Sequence, residues 1–129
     1  MANPIPPQMA SYALAALRIV AALLFIEHGT QKLFAFPIAP PGGAAPAMFT
    51  LYWFAGVLEI VGGLMVLVGF FTRPAAFVLS GMMAVAYFMA HFPRSPWPVA
   101  NGGDAAILFC FVFLYLAAAG PGPLSINRR

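Results

Sequence analysis

Few side chains in this sequence can do chemistry, and they are scattered over four apolar stretches. They are Arg18, His28, Lys32, Glu59, His91 and Asp104, with Glu27 and Cys110 beside them. Imidazoles and carboxylates can move protons or orient a ligand through hydrogen bonds. Their spacing does not suit a metal. His28 directly follows Glu27, and adjacent residues do not share a helix face, so neither an HExxH nor an ExxH pattern exists. No metal site is therefore expected. Cys110 stands alone in an apolar run, which excludes a CxxC redox pair and an internal disulfide. Ser80 and Ser95 have no nucleophile elbow, and Gly42-Gly43 and Gly102-Gly103 lack the strand–turn–helix setting of a phosphate loop. His28 and His91 are on separate stretches with no haem motif around them. No cofactor held by the chain alone is expected.

Glu59 is the residue whose position demands explanation. It lies inside WFAGVLEIVGGLMVLVGFFTR, residues 53–73, about the roughly 20 residues that a bilayer-spanning helix requires. A charged side chain at the centre of such a helix costs about 2.5–3.5 kcal/mol on insertion scales. Glu59 must be neutral, paired, or turned to a wet cavity. On a helix Ala55, Gly56, Glu59, Gly62 and Gly63 share a face, and small residues let another helix approach closely. The acid is therefore expected to point at a packed helix. In the first apolar stretch Arg18, Phe25, Gly29 and Lys32 share a face, with Glu27 almost opposite. His28 and Lys32 are one turn apart.

The elements that must position these groups are membrane helices. Of the 129 residues 63% are hydrophobic and only 7% charged, against roughly 25% charged in a soluble domain. A soluble fold of this composition would expose an almost wholly apolar surface. The periodicity predicts an all-α integral membrane four-helix bundle, a single domain over residues 1–129, with helices over about 12–36, 49–71, 74–92 and 104–119. Residues 1–10 hold three prolines and no Lys or Arg, which reads as a short tail into an uncleaved first helix. FPIAPPGGAAPAM, residues 36–48, breaks the first hairpin. It either lies on the membrane surface, folds over the mouth of the bundle, or simply turns. Pro74 is expected at the first position of helix 3, and Ser80, Ala84, Tyr87 and His91 form a small-and-polar stripe along it. PRSPWPVANGG is a loop, Asp104 sits in the first turn of helix 4 or at its cap, and GPGPLSINRR is an ordinary tail.

Four spans place both termini on one side. Arg73, Arg128 and Arg129 fall there and Lys32 and Arg94 opposite, so the positive-inside rule favours cytoplasmic termini. The net charge of +3 has no basic stripe behind it, and no nucleic-acid partner is expected. His28, Lys32, His91 and Asp104 then gather near the outer end, with Glu59 and Glu27 below. An apolar cavity with a few placed polar groups suits a flat, apolar, hydrogen-bonding ligand such as a quinone. His28 or Lys32 would donate to its oxygen and Glu59 would relay protons.

The stretches LRIVAALLFIEHGTQKLF, LEIVGGLMVLVGFFTRPAA, MMAVAYFMAHFP and NGGDAAILFCFVFLYLA resemble the DoxX family of small prokaryotic membrane proteins, in the family's order. The resembling positions are Arg18, Gly29, Lys32, Glu59, Gly62, Gly63, Gly69, Arg73, His91 and Asp104, with Asp104 standing where many relatives have Glu. The resemblance implies a four-helix integral membrane protein. Some relatives are subunits of thiosulfate:quinone oxidoreductase, and others are linked to oxidative or quinone stress. The reading that follows is a component of a redox system in the bacterial inner membrane, binding quinone or a related apolar compound near Glu59, Lys32 and His91. Arg18 is expected to join Glu59 in a polar network, with water or Lys32 between them. A partner redox subunit, a larger membrane complex or a homo-oligomer would complete it. The alternatives are an accessory subunit whose charges only lock its helices, and a small-solute transporter.

Overall fold

A computed structural model describes residues 5–40, 43 and 46–129. Helix α1 is Pro7–Phe34, with Pro7 in the first turn, where its missing N–H costs nothing. It stops at Ala35, which adopts a left-handed φ of 54° and donates its N–H back to the Gln31 and Thr30 carbonyls. Helix α2 is Leu51–Val68. Thr50 caps it, its hydroxyl accepting from the Trp53 N–H at 3.3 Å, and Gly69 ends it at φ 71°. Helix α3 is Thr72–Ala86 and continues through a π-turn, Tyr87–His91, into a 3-10 turn, Phe92–Arg94. One turn, α4 (Pro98–Asn101), precedes α5, Asp104–Ala119. There is no strand among the described residues.

The helices form two antiparallel pairs, α1 with α2 and α3 with α5. The pairs join along α2 and α3 through the tight turn at residues 69–71, while α1 and α5 meet only lightly. That light contact is aromatic: Phe25 of α1 meets Phe109 and Phe113 of α5 at 5.4 and 4.9 Å between ring centres. Phe25, Val66, Ala76, Leu79, Phe113 and Leu116 form the core. Glycines set the helix separations. A Cβ on Gly29 would stand 2.7 Å from Ile60 Cγ1, and one on Gly63 would stand 2.6 Å from Ile26 Cγ1, so α1 and α2 touch backbone to side chain. Gly62 looks the other way, toward Leu79 of α3. The expected single small-residue face of α2 is thus split between two neighbours, because a helix in a bundle is clasped from two sides.

Three helices are long and apolar enough to cross a membrane: Pro7–Phe34, Leu51–Val68 and Thr72–Arg94. In an 18-residue apolar stretch of each, only 28%, 22% and 33% of the residues are buried inside the chain. Most of each helix therefore needs an apolar solvent, which lipid supplies. Helix α5 is apolar but shorter; its 16 residues reach about 24 Å against about 30 Å of hydrocarbon. The elements differ from expectation at their ends. Helix α1 begins earlier, at Pro7, because Pro6 stands at the cap and Pro7 in the first turn, where neither needs to donate an N–H. Helix α3 begins at Thr72, so Pro74 is not its first residue.

The last residues are not an ordinary tail. The Ile126 and Asn127 N–H groups donate to the Val68 and Gly69 carbonyls at 3.0 and 3.1 Å, and Asn127 Oδ1 accepts from the Phe71 N–H at 3.0 Å. The Arg73 N–H donates to the Arg129 carbonyl at 3.2 Å. The chain thereby seals the end of the bundle at which α1 begins and α2 ends. Arg73 closes the same end of α5, its guanidinium donating to the Ala117, Ala118 and Ala119 carbonyls. Of the 36–48 connection, residues 41, 42, 44 and 45 lie outside the described residues. The described part folds back on α1: the Thr30 hydroxyl donates to the Phe36 carbonyl at 2.8 Å, and Gln31 Nε2 donates to the Ala39 carbonyl at 3.4 Å.

Candidate functional site

The polar side chains fall into three places. The first is the seam between α1 and α2. Lys32 Nζ donates to Glu59 Oε1 at 2.6 Å, the one ion pair among the described residues. Glu59 is 2% exposed and Lys32 15%. Gly29 and Gly56 bring the two backbones close enough for this bond: a Cβ on Gly29 would meet Glu59 Cβ at 3.1 Å, and one on Gly56 would meet Lys32 Cβ at 3.1 Å. The Tyr52 ring lies 5.2 Å from the ammonium, one turn above Gly56. Glu59 Oε2 is buried and has no hydrogen-bond partner among the described residues.

The second place is the far end of α3. His91 Nδ1 lies 3.1 Å from the Asn101 carbonyl, and its ring stacks on Tyr87 with 6.2 Å between centres. Asn101 is 1% exposed and uses both ends of its amide. Its Nδ2 donates to Tyr87 Oη at 3.1 Å and to the Ser95 carbonyl at 2.9 Å, while Oδ1 accepts from the Gly103 N–H at 2.8 Å. The π-turn shifts Tyr87 and His91 into reach of α4. His91 makes no hydrogen bond or ion pair with Lys32 or Glu59. The expected chamber shared by Glu59, Lys32 and His91 is therefore two separate clusters, because the proline-rich 93–103 connection ties His91 to its own hairpin. Asp104 is exposed at the start of α5, with no side-chain hydrogen bond there.

The third place is the opposite end, where Arg18 is fully buried. Its Nη1 donates to the Val66 and Leu67 carbonyls at 3.2 and 3.1 Å, and its Nη2 to the Pro123 and Leu124 carbonyls at 3.1 and 2.8 Å. It does not join Glu59. Val66 is seven residues beyond Glu59 on α2, about 10 Å along the axis, and the guanidinium turns to the carbonyls of that helix end, where the helical hydrogen-bond ladder runs out. Arg18 is a clasp between α2 and the chain end.

A groove runs between α1 and α5, where those helices meet lightly. Its volume is about 400 Å³, its walls are Leu17, Val20 and Leu24 against Leu108 and Val112, and Glu27 and His28 stand at one end. His28 rests edge-on against Phe109, with 6.0 Å between ring centres. From Leu17 to His28 is eleven residues, about 16 Å of helix. A second recess of about 140 Å³ continues past Glu27 and His28 to Gln31, Pro37 and Ile38. Thus His28 lines a groove that neither Lys32, Glu59 nor His91 lines. Among the described residues no three His, Cys, Asp or Glu side chains are grouped as for a metal ion.

The sequence reading missed Asn101, Tyr52 as a partner of Lys32, and the chain end as a partner of Arg18. Only Arg18 carried a signal. A guanidinium in an apolar helix must find acceptors, and with few carboxylates in the chain those are backbone carbonyls.

These features define a class, the multi-pass helical membrane protein, with Arg18 and the Lys32–Glu59 pair turned inward between its helices. The particular family is shown by comparison. The DoxX family matches residues 13–92, and the chain belongs to that family. It is 44% identical over 121 residues to a Haemophilus influenzae protein called an uncharacterized protein, covering 92% of this chain and 90% of that one. It is 29% identical over 128 residues to the inner membrane protein YphA of Escherichia coli, covering 87% and 86%. It is 28% identical over 127 residues to a membrane protein of Mycobacterium tuberculosis, covering 88% and 78%. No solved structure matches the chain.

Proposed function

We propose that the protein is a component of a redox system in the bacterial inner membrane, and that it takes a quinone or related apolar compound into the α1/α5 groove. The observation that carries this reading is the groove itself: about 400 Å³, apolar along its walls, with one imidazole and one carboxylate at its end. A ligand entering sideways from lipid lays its chain along Leu17, Val20, Leu24 and Val112. Its ring then reaches His28, which donates to a carbonyl oxygen, beside the Glu27 carboxylate. The site differs from the one expected around Glu59, Lys32 and His91, since those groups are engaged with protein atoms. In this reading the electrons belong to a partner redox subunit. The location accords with the E. coli relative's name. Termini on the cytoplasmic side accord with Arg73, Arg128 and Arg129 at that end.

Binding of a short-chain quinone to the purified protein tests this. His28→Leu removes one buried hydrogen bond, worth about 1 kcal/mol, and weakens binding roughly fivefold. Leu24→Trp fills the groove and abolishes binding. A wild-type protein that binds no quinone refutes the reading. The competing reading, an accessory subunit whose charges only lock its helices, is favoured by Arg18, whose mapped bonds all go to backbone of the same chain. Co-purification with a stoichiometric large partner, together with quinone binding unchanged in both variants, supports it.

A further inference from the structure

The seam between α1 and α2 holds a feature that the groove does not use. Glu59 is 2% exposed, at membrane depth, and only one of its two oxygens has a donor. An acceptor without a donor in an apolar interior costs several kcal/mol. Among the described residues two other buried polar atoms share this condition, Arg18 Nε and Thr72 Oγ1, but both are donors that carry their own proton, and Glu59 Oε2 is the one able to take a proton up. The charged and titratable groups on the surrounding elements are few. On α1 they are Lys32, bonded to Oε1, His28 and Glu27, which line the groove, and, toward the opposite end of the bundle, Tyr12 and Arg18, the latter held by backbone carbonyls as Arg73 of α3 is by the end of α5. On α2 it is Tyr52, whose ring faces Lys32. At the end of α3, Tyr87 and His91 are bound to Asn101, and α5 carries exposed Asp104 and Cys110, which packs with Ser80. Among the described residues Lys32 alone donates to the Glu59 carboxylate.

Lys32 has somewhere else to go. Its ammonium lies between Glu59 and the Tyr52 ring, and it is the more exposed member of the pair. Tyr52 itself is 43% exposed, so the way out of the seam runs past Lys32 and Tyr52 toward the end of the bundle where α2 begins.

We propose that Glu59 is a proton-exchange site: its free oxygen takes one proton from water at that end while Lys32 moves its ammonium from Glu59 to the Tyr52 ring. One O–H bond forms on Glu59 as one O–H bond of a hydronium donor breaks and leaves water, the ionic hydrogen bond to Lys32 is released, and no change of oxidation state is involved. The neutral acid fits the glycine-lined seam without its counter-ion, and the ammonium keeps its charge against an aromatic face at the wetter mouth. The inference stands whether or not the groove takes a quinone, because it concerns the other side of α1.

Dicyclohexylcarbodiimide, which reacts with protonated carboxyls from the lipid phase, tests this on the full chain in liposomes at neutral pH. The expected result is an adduct that maps to Glu59, is absent in Glu59→Gln, and forms roughly tenfold more slowly per pH unit once the carboxylate dominates. Lys32→Met is expected to label at Glu59 with that pH dependence much reduced. Label on Glu59 in Lys32→Met but not in the wild type overturns the proposal, since the ion pair is then permanent. Label confined to Glu27 overturns it too. Where neither variant labels, infrared spectroscopy of the wild type decides. A carboxylic-acid band between about pH 5 and 8 that disappears in Glu59→Gln supports the proposal, and its absence overturns it.

Discussion

Arg18→Met removes the clasp at the terminal end of the bundle. In the wild type the guanidinium holds four carbonyls, two at the end of α2 and two in the chain end, at 2.8–3.2 Å. Hydrogen bonds to charged groups contribute about 1.5–3 kcal/mol each. Opening the chain end alone breaks the bonds to Pro123 and Leu124, a gross loss of about 3–6 kcal/mol. The freed guanidinium recovers part of this from water at the mouth, which leaves about 3 kcal/mol, or roughly a hundredfold in the opening equilibrium. The Ile126 and Asn127 amides report that opening, because they donate to Val68 and Gly69 across the same junction. Hydrogen exchange measured in detergent micelles should show these two amides about a hundredfold less protected in Arg18→Met, with the middle of α5 unchanged. Arg18→Lys should recover less than half of the loss, since one ammonium cannot span both pairs of carbonyls. Equal protection in wild type and Arg18→Met would refute the assignment of Arg18 as the clasp. A uniform loss over all helices would show instead that it supports the whole bundle.

Two further substitutions test the packing. Gly29→Ala places a Cβ 2.7 Å from Ile60 Cγ1 and 3.0 Å from the Gly56 carbonyl, so a backbone must move. A cost of about 1–3 kcal/mol is expected as a lower thermal midpoint in detergent, with the Lys32–Glu59 bond loosened. Asn101→Leu leaves the Gly103 N–H and the Ser95 carbonyl without partners and should cost about 2–4 kcal/mol. Proteolysis within residues 93–103 should rise before the helices melt, and an unchanged cleavage rate would count against the cap.

The sequence alone determined that the chain is helical and lives in lipid. So many apolar residues in runs of bilayer length, with so few charges, have no other stable solvent. It also determined that Glu59 must be sheltered, because hydrocarbon does not solvate a carboxylate, and that Gly56, Gly62 and Gly63 mark close helix contacts. What it could not determine is which charge meets which. Helical rotation placed Arg18 and Lys32 on one face of α1, but a shared face says nothing about depth on the partner helix. Antiparallel packing put Lys32 level with Glu59 and Arg18 level with the end of α2. Only the three-dimensional structure joined the chain end to Arg18, since those residues are about a hundred positions apart and backbone acceptors leave no trace in sequence. The same holds for His91 and His28. Their residue types suggested one site, and the separation of the two hairpins sent one to a cap and the other to the groove.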